Sequence, residues 1–459
     1  MTAHSTALVV GGGISGLVCA YALRKAGIDT QLLEASSRPG GVIRSERRDG
    51  FLLELGPQSF SGSAPLLELC CELGIDGQLV QAPPRAPRYV LVEGALRKVP
   101  LSPPAFFASS LLNTGTKWSV LRDLLSKSQP PEPDESVAAF VRRKFSAELL
   151  EKLAGPFVSG IYAGDPEQLS LRGAFPQVHE AEKSAGSIVR GMMRSTKTTK
   201  ETPKERPSLL TFREGNEMLI RALAASLGDA LRCSAEVIAI QRRAKGSLEG
   251  YEVCLSAAGR DETLEVDHII VATPTNAAAE LLRQIGAGFE SALQGIPYAP
   301  VAVVSLGYRM NAVGNTLDGF GFLVPRSAGL EILGSVWNSS LFPDRVPDGK
   351  VLLTSFVGGV TNPEAVTRSS QALISLVHRE IATVLKLGQE PVFSNVEIYQ
   401  RAIPQYNLGH GERLAALEAF RAKYPGLWLA GNYLRGPAIG ACVEQALAVA
   451  GEIAKSVSK

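Results

Sequence analysis

Apolar and polar residues alternate along this chain in two periods, and the change from one to the other divides it into elements. Ala7-Leu8-Val9-Val10 is a continuous apolar run, as expected of a strand buried on both faces. Gly11-Gly12-Gly13-Ile14-Ser15-Gly16 follows, then residues 17–26 with the spacing of an amphipathic helix closed by Gly27. Gln31-Leu32-Leu33-Glu34 predicts a second strand. Helical pattern returns over residues 65–73, the proline-rich stretch 82–87 breaks it, and residues 88–96 predict a hairpin turning at Glu93-Gly94. A second break at 129–134 precedes an amphipathic helix from Ser136, with Asp134 or Glu135 as its expected cap. Residues 104–194 are mainly helical in pattern, and the Lys-, Thr- and Glu-rich stretch 195–207 predicts an exposed loop. Beyond it, residues 212–219 predict the opening of a helix, and 235–240, 251–256 and 265–272 predict strands, the last stopped by Pro274. Alternating runs over 301–358 predict a separate mixed sheet. The chain closes with 427–432, 436–441 and an alanine-rich helix.

Composition narrows the class. At 459 residues the chain exceeds one typical core, so two or three units are expected. A net charge of +2, from 47 basic and 45 acidic residues without a basic block, argues against a nucleic-acid partner. The six cysteines show no CxxC spacing and read as buried thiols of a reducing compartment. Residues 1–6 are too short and polar for a signal segment, and no apolar run is long enough to span a bilayer, so a cytoplasmic location is expected. Residues 100–112, with Phe106-Phe107 and nearby Lys117-Trp118, suit either a contact lying on a membrane surface or the wall of an internal tunnel. No metal constellation and no Gly-x-Ser-x-Gly elbow is visible, and a structural hydrogen bond is the expected role of His410.

The first thirty-four residues carry the clearest chemistry. Gly11 permits a tight turn out of a buried strand, Gly13 lets backbone approach a pyrophosphate, and Gly16 lets the helix pack on the sheet. The phosphates would meet the unpaired N–H groups of the helix start, with Glu34 placed for an adenosine ribose. That pattern predicts a dinucleotide without separating NAD from FAD. The separation comes from Glu34-Ala35-Ser36-Ser37-Arg38-Pro39-Gly40-Gly41 and Gly56-Pro57-Gln58-Ser59, which resemble the extended flavin signature of the amine-oxidase and glutathione-reductase-like superfamily. Arg38 would pair with phosphate oxygens, while Gly40 and Gly41 would let backbone run close to FAD.

Four further segments are more specific. Phe157-Val158-Ser159-Gly160-Ile161-Tyr162-Ala163-Gly164-Asp165, Gly319-Phe320-Gly321-Phe322-Leu323-Val324-Pro325, Ile403-Pro404-Gln405-Tyr406-Asn407-Leu408-Gly409-His410 and the closing stretch 436–442 resemble the protoporphyrinogen oxidase family, in the same order across essentially the whole chain. The resemblance implies an α/β chain, α+β overall. A discontinuous Rossmann-like FAD-binding domain (1–80, 206–273, 424–459) would stand beside a mixed-sheet substrate domain (81–95, 274–423) and a helical membrane-binding domain (96–205). It implies an oxygen-dependent flavoenzyme that takes six electrons from a porphyrinogen by hydride transfer to FAD, with peroxide formed. No side chain then acts as catalyst, because the cofactor carries the hard step. Hand-over of product to a chelatase, a homodimer and a peripheral membrane contact are left open by the same resemblance.

Residue by residue, the resemblance implies that Gly11, Gly12, Gly13, Ile14, Ser15 and Gly16 cradle phosphate and that Glu34 and Ala35 lie at the ribose. Arg38, Gly40 and Gly41 form the second glycine motif, and Gly56, Pro57, Gln58 and Ser59 the loop near the isoalloxazine. Val237 gives a backbone contact on the adenine side. Gly431, Asn432, Pro437, Ala438 and Ile439 meet the flavin, the helix start there favouring a developing negative charge. Arg88 would anchor a propionate, Gly160 would let backbone approach the ring, and Leu323 and Phe356 would sandwich the macrocycle. Pro437 and Asn432 depart from the family pattern, and Pro437 removes one N–H donor beside the flavin. Three other readings remain: a coproporphyrinogen oxidase of the same family, a carotenoid-desaturase or amine-oxidase relative, and a non-catalytic FAD-binding scaffold.

Overall fold

The structure, a computed structural model, describes residues 4–130, 134–198, 209–243 and 250–457. Its first sheet has seven strands. Leu231–Arg232, Thr30–Leu33, His4–Val10, Arg260–Val271, Gly250–Ala257 and Ala235–Arg243 lie in that order, and Leu427–Leu429 also pairs with Arg260–Val271. Arg260–Val271 is long because it serves two partners. Its first half closes an antiparallel hairpin with Gly250–Ala257, and its apolar second half lies parallel to His4–Val10 and to Leu427–Leu429. The two ends of the chain therefore meet on one strand.

Alternation along His4–Val10 sends Ala7 and Val9 into one core and Leu8 and Val10 into another. The first core is closed by the helices Ile14–Lys25, Glu217–Leu227 and Ile439–Val457, and the Cys19 thiol reaches the Ala446 carbonyl 3.4 Å away. The second is closed by the antiparallel hairpin and the helices Thr275–Leu282 and Ala287–Gln294.

A second seven-stranded sheet runs Phe393–Pro404, Tyr298–Arg309, Lys350–Gly358, Ile332–Trp337, Gly321–Leu323, Arg88–Val92, Ala95–Lys98. Only Gly321–Leu323 with Arg88–Val92 is parallel. One face, with Ala302, Val304, Leu306 and Tyr308, packs against the helix Ser370–Leu385. The opposite face carries Val303, Phe356 and Leu323, and helices from 103–198 approach it through Gly155–Tyr162. The expected hairpin turn is present, with positive φ at both Glu93 and Gly94.

Three local expectations are corrected. The cap of the helix Val137–Lys144 is Ser136, whose Oγ accepts from Ala139 N at 3.1 Å, rather than Asp134 or Glu135. Residues 209–212 form a strand paired with Phe60–Ser61 and Leu79–Gln81, and the helix begins only at Glu217 after a turn at Gly215. The helix Ile188–Thr198 runs through the start of the stretch read as a loop, and 199–207 lie outside the described residues, as do 131–133 of the second break.

Candidate active site

The glycine turn between the first strand and helix is built by close approach. Gly11 N donates to Leu33 O at 2.8 Å, and a Cβ on Gly16 would overlap the Gly11 carbonyl. Gly16 is thus required by the turn itself as well as by packing against Ala272 of the neighbouring strand. Gly13 caps the helix without a side chain, and the space its Cβ would enter is open. Ile14, Ser15 and Gly16 therefore present first-turn N–H groups beside an unfilled space, as an anion requires.

Glu34 braces this turn. One carboxylate oxygen accepts from Gly12 N at 2.6 Å; the other accepts from Ser36 N at 2.9 Å and Ser36 Oγ at 2.6 Å. Spare lone pairs remain for ribose hydroxyls. Ala35 beside it is exposed. Gly40 N donates to Gly12 O at 2.7 Å, and Gly41 lies against the Gly13 backbone, so the two glycine motifs form one surface. Arg38 donates to its own loop, to Pro39 O at 3.2 Å and Gly41 O at 2.8 Å, which makes it a brace of the second glycine motif as well as a neighbouring charge. Val237 lies in the edge strand Ala235–Arg243 where the register slips between Val237 and Ala239.

Two more segments flank this surface. Gln58 is buried and donates to Glu54 O and Gly56 O, while its own oxygen accepts from Asn338 Nδ2 at 2.8 Å. Pro57 O accepts from Asn216 Nδ2, and Ser59 follows ahead of the strand Phe60–Ser61. Below them lies a buried ion pair that the sequence did not announce. Glu54 accepts from Arg345 Nη1 at 3.0 Å, Asn216 N at 3.0 Å and Ser45 Oγ at 2.6 Å. Burial pushes the Glu54 pKa up, and Arg345, Ser45 and Asn216 pull against it. At the other flank, the segment from Gly431 through Asn432 to half-buried Pro437 and exposed Ala438 leads into the helix that starts at Ile439.

These features fit FAD: an open anion cradle at Gly13, an acid with spare lone pairs at Glu34, an edge strand at Val237, and a second helix start at Ile439.

Of the four residues expected at the substrate, Arg88, Leu323 and Phe356 lie on the second sheet and Gly160 on the helix Gly155–Tyr162 packed over it. Leu323 pairs with Gly334 and Gly334 with Phe356, so both side chains leave the same sheet face on either side of a glycine. The expected sandwich is therefore a slot whose two walls stand on strands about 10 Å apart, and a Leu323 methyl leans into it over Gly334, 3.2 Å from where a Gly334 Cβ would stand. Leu333, beside Gly334 at a bulge, completes its floor. Gly160 lies over it, where a Cβ would come within 2.5 Å of a Leu323 methyl. Arg88 opens the strand beside Leu323, with its guanidinium carbon 5.5 Å from the centre of the Phe320 ring, and has no acidic partner among the described residues.

Tyr399, not singled out by the sequence, links the two halves. Burial and Glu397 raise its pKa to about 12, and the positive charges of Arg38 and Arg44 oppose that rise. Arg38 of the second glycine motif is thus an electrostatic neighbour of Tyr399, which packs in the apolar cluster of Leu333 and Phe356. His410 stacks on Tyr406 with ring centres 4.3 Å apart; burial together with Arg413 lowers its pKa to about 4, against a backbone hydrogen bond with Tyr433 of the kind expected of it. Among the described residues no cluster of His, Cys, Asp and Glu could hold a metal.

Residues 14–454 match the family described as flavin containing amine oxidoreductase. The chloroplastic protoporphyrinogen oxidase of Nicotiana tabacum is 36% identical over 475 residues, covering 98% of this chain and 86% of that protein. The coproporphyrinogen III oxidase of Bacillus subtilis is 30% identical over 465 residues and covers 95% of each. Among solved structures, one from Exiguobacterium sp. 255-15, assigned provisionally as a protoporphyrinogen oxidase, superposes with a TM-score of 0.82 at 26% identity, covering 99% of this chain and 100% of that one.

Proposed function

The chain belongs to the flavin-containing amine oxidoreductases and, within them, to the protoporphyrinogen oxidase family; we propose that it oxidises protoporphyrinogen IX to protoporphyrin IX with molecular oxygen. It is an FAD-dependent oxidoreductase of porphyrin biosynthesis. The observation that carries the choice of substrate is the slot between Leu323 and Phe356, floored by Gly334 and flanked by Arg88.

With the flexible Leu323 side chain swung aside, the apolar walls would make van der Waals contact with a tetrapyrrole edge. Arg88 and Arg97 project from one face of their hairpin, diagonally placed, and neither has an acidic partner among the described residues. Both guanidinium groups are exposed and available for charge-assisted pairing, and two propionates would match them. Arg326, the next cation along the wall, is engaged by Asp165 at 3.3 Å and by Gly164 O. That favours a substrate with two carboxylates over one with four.

In this reading Gly11–Gly16 and Glu34 hold the adenosine diphosphate part of FAD, with Arg38, Gly40 and Gly41 over the phosphates and Val237 at the adenine. Gly56–Ser59 and Gly431–Ile439 hold the flavin ring. When bound, FAD supplies a two-electron acceptor that molecular oxygen regenerates with release of peroxide. The chain's own share is to hold the macrocycle in the slot, keep water out and let pyrrole N–H protons leave to solvent. No general base is needed, because the pyrrole nitrogens themselves stabilise the cation left when the methylene hydrogen departs.

No helix among the described residues is long and apolar enough to cross a membrane. Leu101, Phe107, Trp118 and Leu125 are nevertheless 46%, 39%, 70% and 82% exposed on one helical region, which supports a peripheral membrane contact. Parallel turnover of protoporphyrinogen and coproporphyrinogen tests the substrate reading. Faster porphyrin formation from protoporphyrinogen is expected, and a preference for coproporphyrinogen would overturn it.

A further inference from the structure

Of the motif 403–410, Ile403 packs in the apolar cluster of Leu333 and Phe356, and the remaining residues have no part in the slot or the glycine surfaces described above. Tyr406 is 1% exposed and its hydroxyl donates to the backbone carbonyl of Asn432. From the strand Tyr298–Arg309, the Tyr298 hydroxyl donates to the Asn432 side-chain oxygen at 3.2 Å. Asn432 is thus gripped twice, at side chain by a residue of the second sheet and at main chain by Tyr406, just beyond the end of the strand Phe393–Pro404.

Its neighbours show why a grip matters. Gly431 and Gly436 both have φ of 155°, a region open to glycine and rarely to other residues, so the backbone on each side of 432–435 has unusual freedom. That segment leads directly to Pro437 and the helix start at Ile439, and Pro437 offers no N–H of its own. Gly431 N donates to Gln445 Oε1 at 3.2 Å, and the Cys442 thiol faces Gly436 O at 3.7 Å, which ties both glycines to the helix. The residue between them is fixed by the two tyrosines.

Tyr406 is itself held from three sides. His410 stacks on its ring with an interplanar angle of 8°. Its carbonyl accepts from Ser170 N at 2.8 Å, and the adjacent Gln405 donates to Tyr162 O at 2.7 Å, so the helices around 155–174 bear on the same point. Burial raises the pKa of both tyrosines, that of Tyr298 to about 12, so both stay protonated donors through the working range.

We propose that Tyr406 and Tyr298 are positioning residues that clamp Asn432 and so set where the 431–439 backbone meets the flavin. This rests on the reading that FAD lies at that segment. The side-chain half of the clamp needs an amide or similar acceptor at 432, which gives the asparagine of this chain a purpose.

The test compares FAD-loaded Tyr406→Phe and Tyr298→Phe with the parent by FAD titration and by visible circular dichroism of the bound flavin. Each variant keeps the ring and removes one hydroxyl, a net loss of about 1 kcal/mol, or roughly fivefold in affinity. The expected result is a several-fold rise in the FAD Kd and an altered flavin dichroism band for both. Asn432→Ala should lose the Tyr298 contribution, so that adding Tyr298→Phe to it changes nothing further. Parent-like Kd and dichroism in both single variants would overturn the proposal. If Tyr406→Phe does not fold, Tyr298→Phe with Asn432→Ala decides alone, additive losses overturning the clamp. Neither readout involves a porphyrinogen, so failure of the substrate reading and failure of the clamp are distinguishable.

Discussion

Gly16, Gly160 and Arg88 show how much one side chain decides at this site. A methyl group on Gly16 would collide with the Gly11 carbonyl, which has nowhere to move because Gly11 is itself wedged against Ala272. Gly16→Ala should therefore yield protein without bound FAD, read from the absence of flavin absorbance after purification. At Gly160 the neighbour is the flexible end of Leu323, so Gly160→Ala is expected to fold, to keep FAD and to narrow the slot. The KM for porphyrinogen should then rise with kcat changing less; an unchanged KM would remove Gly160 from the wall. Arg88→Ala should likewise raise KM by about tenfold or more, because a charge-assisted pair contributes about 1.5–3 kcal/mol, and unchanged kinetics would free Arg88 of its role. The glycines were legible because each answers to a local geometric demand. Arg345 was not, since nothing near it in sequence reveals that it is 3% exposed and closes on Glu54.

Elements were read well where period and punctuation agreed, and less well where a partner distant in the chain decides. The hairpin at Glu93-Gly94 and the strands of the first sheet carry their own turn chemistry and apolar runs. Residues 209–212 become a strand only because Phe60–Ser61 and Leu79–Gln81 offer edges, a tertiary cause invisible to periodicity. Within the helical region, Glu182 and Asp123 are fully buried and bind Lys144, with Arg143 reaching Glu182 as well. Burial alone would raise the Glu182 pKa, but hydrogen bonds from Arg143 and Ser128 and the nearby positive charges bring it down to about 2. A depressed carboxylate stabilises the fold above its ordinary pKa near 4.5, and that contribution is lost as pH falls toward 2, by about 2–3 kcal/mol in all. Thermal unfolding followed between pH 5 and pH 2.5 should show this decline in the parent and a smaller one in Glu182→Gln, already destabilised at neutral pH. Equal slopes would assign the acid sensitivity elsewhere.

At the scale of the molecule, the first and last segments complete one sheet, while the second sheet carries the proposed slot. The strongest motif in the sequence, Gly11 to Glu34, identifies a cofactor and says little of the substrate. The slot could not be foreseen as geometry: Leu323, Gly334 and Phe356 lie far apart in sequence and meet only through strand register. In the proposed reading, what selects a porphyrinogen is a property of the assembled sheet. The most direct measurement is turnover of protoporphyrinogen IX by the FAD-loaded protein in air, with porphyrin fluorescence and peroxide recorded together. The account predicts porphyrin well above the uncatalysed rate with peroxide at a ratio of about three to one, as six electrons passed in pairs to oxygen require. Porphyrin at the uncatalysed rate, with the flavin demonstrably bound, would contradict it.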